Sequence, residues 1–271
     1  MLHPQVLFDR DGLTIADVRC RHGAGRGAEE HYDGRHAIVL VRRGCFVRSA
    51  DGVETTLDPT LAYALAPDDV HRYDHPHGEG DDCTALFLDR ALLASLWGGE
   101  PGVPDGALRS APVVDLEHRA LLAAARRGED LDGVFERAVG LLARLLGSRA
   151  PARMASGRPA TAAARRRLAA SAREALAADP GTSLPQLSRA LATSPHHLSR
   201  VFRAETGQTV SGHRRRLRAR LALERLADGE RDLARLAADA GFADQSHLCR
   251  VLKAETGTTP AALRGLLAPA R

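Results

Sequence analysis

His197-Leu198-Ser199-Arg200-Val201-Phe202-Arg203-Ala204-Glu205-Thr206-Gly207-Gln208-Thr209 returns fifty residues later as His247-Leu248-Cys249-Arg250-Val251-Leu252-Lys253-Ala254-Glu255-Thr256-Gly257-Thr258-Thr259. Nine of the thirteen positions are identical, and Arg203/Lys253 keeps its charge. Each copy has apolar residues at helical spacing and ends at glycine, the residue that stops a helix most readily. A short basic helix used twice points to a partner with a regular repeat.

The flanks complete a pattern. Before the first copy, Ser183 can cap a helix carrying Leu184, Leu187 and Leu191 on one side, and Ser194-Pro195 begins the next. Before the second, Leu233, Leu236 and Ala240 repeat that stripe at an offset of 49, and Asp244 caps the helix that follows. The offset becomes 50 inside the turn, so Gly241-Phe242-Ala243-Asp244 is one residue longer than its counterpart. Helix, tight turn, helix is the helix-turn-helix arrangement. A helix from about Val210 to Ala227 joins the two units. Its Arg214, Arg215, Arg216, Arg218 and Arg220 read as a solvated or phosphate-facing surface rather than a sequence reader.

Residues ~165–265 resemble the DNA-binding domain of the AraC/XylS transcription regulators. The stretch Gly241-Phe242-Ala243-Asp244-Gln245-Ser246-His247-Leu248-Cys249-Arg250-Val251-Leu252-Lys253, with Gly257 and Thr259-Pro260, follows that family's signature. Leu248 and Leu252 stand where the family often has phenylalanine, and Ala192 where its first turn often has glycine. The resemblance implies that each second helix enters a major groove, the two about 34 Å apart on one DNA face. It assigns base reading to His196, Ser199 and Arg200 in the first unit and to Gln245, Ser246, Cys249 and Arg250 in the second. Arg203 and Lys253 fall to phosphate. His197 and His247 are divided between packing and contact, and Glu205 and Glu255 read as intramolecular partners. Promoter DNA is the implied partner, bound by a homodimer, with RNA polymerase as a further one.

Charge placement agrees. Residues 161–271 hold 19 Lys+Arg against 10 Asp+Glu, whereas residues 1–160 hold 19 against 24. A basic half attached to an acidic one suggests a polyanion partner for the basic half.

The first ninety residues read as β. His36 to Val41 is a short buried strand, Ala50-Asp51-Gly52 a hairpin turn, and Val53–Leu57, Leu61–Leu65, Val70–His75 and Cys83–Leu88 follow between turn signals. Helical spacing then takes over in Leu116–Arg127 and Leu131–Leu146. By resemblance the β part is the family's usual cupin-like effector-binding barrel, and Pro67-Asp68-Asp69-Val70-His71 is similar to a turn of those barrels, with Asp68 in place of glycine. The expected architecture is α+β multidomain: a cupin-like β-barrel over 1–95, a helical segment over 96–148 whose leucine-rich faces serve either dimerisation or an intramolecular core, a linker over 149–160 and an all-α double helix-turn-helix domain over 161–271.

The histidines His22, His31, His36, His71, His75 and His77 concentrate in the barrel. On a strand, His71, Tyr73 and His75 share one face. With His31 they offer an effector site or an N/O metal-ligand set, the metal itself unknown. The cupin metal pattern is not reproduced, since His75-Pro76-His77 supplies only its first half. Cys20, Cys45 and Cys83 read either as small buried residues or as a thiol or soft-metal sensor. Four cysteines without a CxxC pair fit a reducing cytoplasm. No apolar run reaches membrane length, and the first ten residues lack a signal-peptide core.

No phosphate loop, dinucleotide-binding glycine pattern or nucleophile motif is present, so no enzyme activity is expected. The leading reading is a sequence-specific DNA-binding regulator controlled by a small-molecule or metal signal at the barrel. A cupin metalloenzyme fused to a DNA-binding domain and an effector-independent regulator are the alternatives.

Overall fold

His36–Arg43 is apolar without alternation because both of its faces are covered. In a computed structural model, which describes residues 2–21, 23–32, 34–76, 80–97, 106–147 and 159–268, it lies inside an antiparallel sheet of six strands. Their order is β1 (Leu2–Arg10), β2 (Leu13–Cys20), β9 (Asp81–Leu88), β4 (His36–Arg43), β7 (Leu61–Leu65) and β10 (Ala107–Arg109). A second sheet runs β3 (Gly25–His31), β8 (Val70–His75), β5 (Phe46–Ala50) and β6 (Val53–Leu57). Ala37, Val39 and Val41 face Phe46, Leu57 and Tyr63 between the sheets. Ile38 and Leu40 point the other way, onto helices. This is the pleat acting on one strand: successive side chains serve two different cores.

Those helices are α1 (Arg90–Trp97), α2 (Pro112–Arg127) and α3 (Leu131–Gly147). Leu93, Leu121, Leu122, Leu141, Leu142 and Leu145 of the three are buried in the same cluster as Ile38 and Leu40. The fold class is therefore the α+β arrangement expected, a β domain of two antiparallel sheets with a helical C-terminal domain. Two details differ. The sheet takes its last strand from residues 107–109, within the stretch expected to be helical, because three residues are too short to show a period. The apolar faces of α2 and α3 are also used inside the chain. Leu121 and Leu122 of α2 pack on the β domain, while Ala120 and Leu116 join the core of the C-terminal domain.

The C-terminal domain comprises α4 (Pro159–Ala178), α5 (Leu184–Ala190), α6 (Pro195–Thr206), α7 (Val210–Ala227), α8 (Leu233–Asp239), α9 (Gln245–Thr256) and α10 (Pro260–Leu267). Most of the expected linker, together with His22 and His77, lies outside the described residues. Each helix-turn-helix unit has its own core: Leu187, Leu198, Phe202 and Val210 in the first, Leu236, Leu248, Leu252 and Leu263 in the second.

The arginines of α7 correct the expectation of a solvated face. Arg220 is 2% exposed. It pairs with Asp115 of α2 at 2.5 Å and donates to the Ser110 carbonyl at 2.7 Å. Arg216 donates to the same carbonyl, and Arg214 and Arg218 bond the carbonyls of Pro180 and Gly181. Arg215 alone is exposed, and it reaches Glu255 at 3.0 Å. The cause is helical spacing: Val210, His213, Leu217, Arg220 and Glu224 fall on one stripe, where Val210 and Leu217 enter the first unit's core and His213, Arg220 and Glu224 meet Asp58, Asp115 and Arg42.

Buried ion pairs tie the two domains together. Glu224 of α7 lies 3.0 Å from Arg42 of β4 and 3.1 Å from Arg119 of α2, and Arg42 also pairs with Asp17 of β2. Asp58, after β6, is 2.7 Å from Arg173 of α4 and 3.4 Å from His213 of α7. Burial alone would raise the Asp58 carboxyl, but Arg173 and His213 more than reverse that and hold it well below the usual carboxylate range.

Candidate nucleic-acid interface and sensor interior

The second helix of each unit is built by residues that repeat in identity or in role. Ser194 and Asp244 accept from the amides of His197 and His247, satisfying an otherwise unbonded N–H at the helix start. Gly207 and Gly257 end the helices with φ of 72°. Thr206 and Thr256 donate to the carbonyls of Phe202 and Leu252, both at 2.7 Å. Thr209 and Thr259 then cap the next helices. The turns differ as their lengths require. Gly241 sits at φ 72°, while Ala192 holds its place in the first unit at φ 48°, a left-handed conformation that costs an alanine about 1 kcal/mol.

Exposure agrees position by position between α6 and α9. Leu198, Val201 and Phe202 are buried, as are Leu248, Val251 and Leu252. His196, Arg200 and Arg203 are exposed and Ser199 half-buried on one face; Ser246, Arg250 and Lys253 are exposed and Cys249 half-buried on the other. Gln245 is exposed at the start of α9. None of Arg200, Arg203, Arg250 and Lys253 has a carboxylate partner among the described residues, so these charges remain available to an outside anion. The two glutamates of the helices are engaged elsewhere, Glu205 at 3.8 Å from Arg165 and Glu255 on Arg215. His247 stands edge-on to Phe242 at 5.4 Å between ring centres, and its Nδ1 accepts from the Ala243 amide at 3.4 Å. That histidine steadies the turn. His197 instead lies 3.4 Å from Arg200.

Residues 187–265 match the helix-turn-helix domain family. The match spans both helix-turn-helix units. The regulatory protein ada of Salmonella typhimurium is 47% identical over 60 residues, which are 22% of this chain and 17% of that protein. The chain thus spans about a sixth of the length of that curated relative. Among solved structures, ToxT from Vibrio cholerae is 11% identical, covering 96% of this chain and 99% of its own with a TM-score of 0.38. A cupin-2 domain protein from Shewanella frigidimarina is 13% identical over 32% of this chain and 79% of its own, with a TM-score of 0.27. No helix among the described residues is long and apolar enough to cross a membrane.

In this domain both units are held by the N-terminal part of the chain, through different elements. Arg109 of β10 donates to the carbonyl of Thr206 at the end of α6. Arg127 of α2 donates to the carbonyl of Ala268, just past α10, at 2.7 Å.

The expected effector residues divide. His71, Tyr73 and His75 do share the inner face of β8, with His71 and Tyr73 rings 4.7 Å apart and Phe46 5.9 Å from His75. His31 does not join them. It is paired with Val70 across β3 and β8, and cross-strand partners point to the same side, which for exposed Val70 is the outer one. Burial, with Arg48 adding, pushes His71 below the ordinary imidazole value. Burial pushes the Cys45 thiol up, with Asp58 adding, and the Cys83 thiol up, with Asp81 adding. What the sequence reading missed is the pairing of His75 with Asp81 and Cys20, which come from three separate strands.

Proposed function

We propose that this chain is a sequence-specific, double-stranded-DNA-binding transcription regulator whose β domain conveys a signal to the two helix-turn-helix units. One observation carries the reading: two capped helices of matching burial each expose a basic face free of carboxylates. On that face His196, Ser199 and Arg200, and Gln245, Ser246, Cys249 and Arg250, would meet base edges, while Arg203 and Lys253 meet phosphate. The shared residues build and end the helices. The unshared ones, Pro195-His196 against Gln245-Ser246 and Ser199 against Cys249, would give the two grooves different readings. A pair of chains on a promoter belongs to the same proposal, and sedimentation with and without bound DNA tests it.

The deciding experiment is selection of bound duplexes from a random pool by the full chain, followed by titration of the enriched site at several salt concentrations. An asymmetric enriched site, with affinity falling steeply as salt rises, is the expected result. Absence of enrichment, or binding indifferent to salt, would remove the proposal.

A further inference from the structure

The structure assigns a thiophilic metal site to the end of the β sandwich where Cys20, His75 and Asp81 meet. Cys20 and Asp81 are direct cross-strand partners on β2 and β9, so their side chains lie on the same face of the sheet. His75, the last residue of β8, approaches from the opposite sheet. Its Nε2 is 3.6 Å from Cys20 Sγ and 2.8 Å from Asp81 Oδ2. All three residues are buried, and their donor atoms lie within 4.8 Å of one another. Cys83 turns its thiol to the other Asp81 oxygen at 3.0 Å and so orients the carboxylate. Gly80 makes the approach of the strands feasible: it has φ 69°, and a Cβ there would stand 2.1 Å from the Cys20 carbonyl oxygen.

Donor chemistry selects the ion. Thiolate, imidazole and carboxylate together are a zinc set, whereas magnesium and calcium take oxygen donors. Tetrahedral bonds of about 2.3 Å to sulfur and about 2.0 Å to nitrogen place those atoms about 3.5 Å apart, close to the 3.6 Å found. The nitrogen–oxygen pair has to open by about half an ångström as the ion replaces the proton between them. Binding releases two protons to solvent, one from the Cys20 thiol and the one shared by His75 Nε2 and Asp81; His75 stays neutral with its proton on Nδ1, and the two anionic donors balance the dication. Three protein donors leave a fourth position for water. Entry is from a cavity of about 370 Å³ between the domains, lined by Arg21, Gly80, Asp81, Leu217 and Arg220 among others.

This site deepens the regulator reading by naming its signal as a zinc-class cation, and it rests on that reading only for its consequence at DNA. The test is therefore run on metal binding. The full, untagged chain is stripped with a chelator under reducing conditions, then titrated with Zn(II) against a chromophoric chelator and with Co(II) as a spectroscopic probe. One ion per chain is expected, with a thiolate-to-Co(II) charge-transfer band. Cys20→Ser and Asp81→Asn should each weaken binding by more than the roughly 10–100-fold typical of losing an outer partner, and Cys45→Ser should bind normally. Circular dichroism checks that each variant is folded. The native chain decides the matter alone if a variant does not fold: no ion bound at micromolar concentration, or one bound without the thiolate band, overturns the assignment. Unchanged affinity in folded Cys20→Ser overturns it equally. A chain that binds the ion but no DNA would leave the site standing and remove the regulator.

Discussion

Glu224→Gln should destabilise the protein by about 3–5 kcal/mol, the usual cost of leaving a buried ion pair with one partner. Glu224 touches two guanidiniums, Arg42 at 3.0 Å and Arg119 at 3.1 Å, whose side chains are only 3% and 2% exposed. At an effective dielectric near 20, each pair some 4 Å between charge centres is worth about 4 kcal/mol of attraction. Part of the total is offset because glutamine avoids the desolvation cost of the carboxylate, and Arg42 retains Asp17. Arg119 suffers more. Burial lowers its affinity for the proton, and Glu224 is the first of the charges opposing that. Glutamine keeps the volume, so a cavity contributes little. For a chain of this size the loss corresponds to a melting temperature lower by roughly 6–20 °C. The assay is thermal and urea denaturation beside Arg225→Ala, which breaks an exposed pair with Asp239 and should cost about 0–1 kcal/mol. If Glu224→Gln melts within about 2 °C of the native chain, the buried network is not what joins the domains.

Arg250→Ala should cost about 1–3 kcal/mol on the selected site and relax preference at one base pair, whereas Lys253→Ala should weaken all duplexes alike and reduce the salt slope by about 0.9; binding titrations on matched and mismatched duplexes distinguish them, and unchanged preference in Arg250→Ala would deny it a base contact. His118, fully buried, is held well below its ordinary value of 6.5 by burial and then by Arg119, Arg42 and Arg126. Its neutral form thus stabilises the fold above pH 6.5, and that stability is lost as pH falls below it, by up to about 1.4 kcal/mol per pH unit. Urea midpoints between pH 7 and 5 should fall less in His118→Leu than in the native chain, and equal slopes would sink the assignment. Ala192→Gly should stabilise by about 0.5 kcal/mol, relief of the left-handed alanine exceeding the added freedom of the unfolded chain; a lowered denaturation midpoint would contradict it.

The helix-turn-helix units were legible because their signals are local. Caps at Ser183, Ser194 and Asp244 and stops at Gly207 and Gly257 each lie within a few residues of the boundary they set. The hairpin at Asp51-Gly52 was legible for the same reason, both residues taking positive φ. β3 was not, since every one of its side chains is exposed and no alternation marks it. The ion pairs were beyond reach for a different reason: Arg42 and Glu224 are 182 residues apart, and nothing local in either records the other. Even so, one signal was available. Arg220 and Glu224 continue the apolar stripe of Val210 and Leu217, and charges at core spacing on a helix imply buried partners elsewhere. The Cys20, His75 and Asp81 set left no such trace, because each residue closes or opens a strand and their nearness depends on how two sheets meet.

In the proposed function, the duplication lets the two units differ in reading on a common scaffold. What repeats is what folds: a capping oxygen at Ser194 and Asp244, the buried Leu198–Val201 and Leu248–Val251 pairs, threonine and glycine. What does not repeat lies largely on the face proposed for DNA and in the elements that hold each unit. The first recognition helix ends against Arg109 of β10, and the second unit rests on α2 through Ala120, Leu116 and Arg127. β10 and α2 are consecutive and are linked by Ser110, whose hydroxyl donates to Asp115 and whose carbonyl receives Arg216 and Arg220. A displacement of this short segment therefore acts on both units and on the helix between them. Because Arg220 and Asp81 line the same cavity, an ion at Asp81 acts within reach of that segment without any contact to DNA.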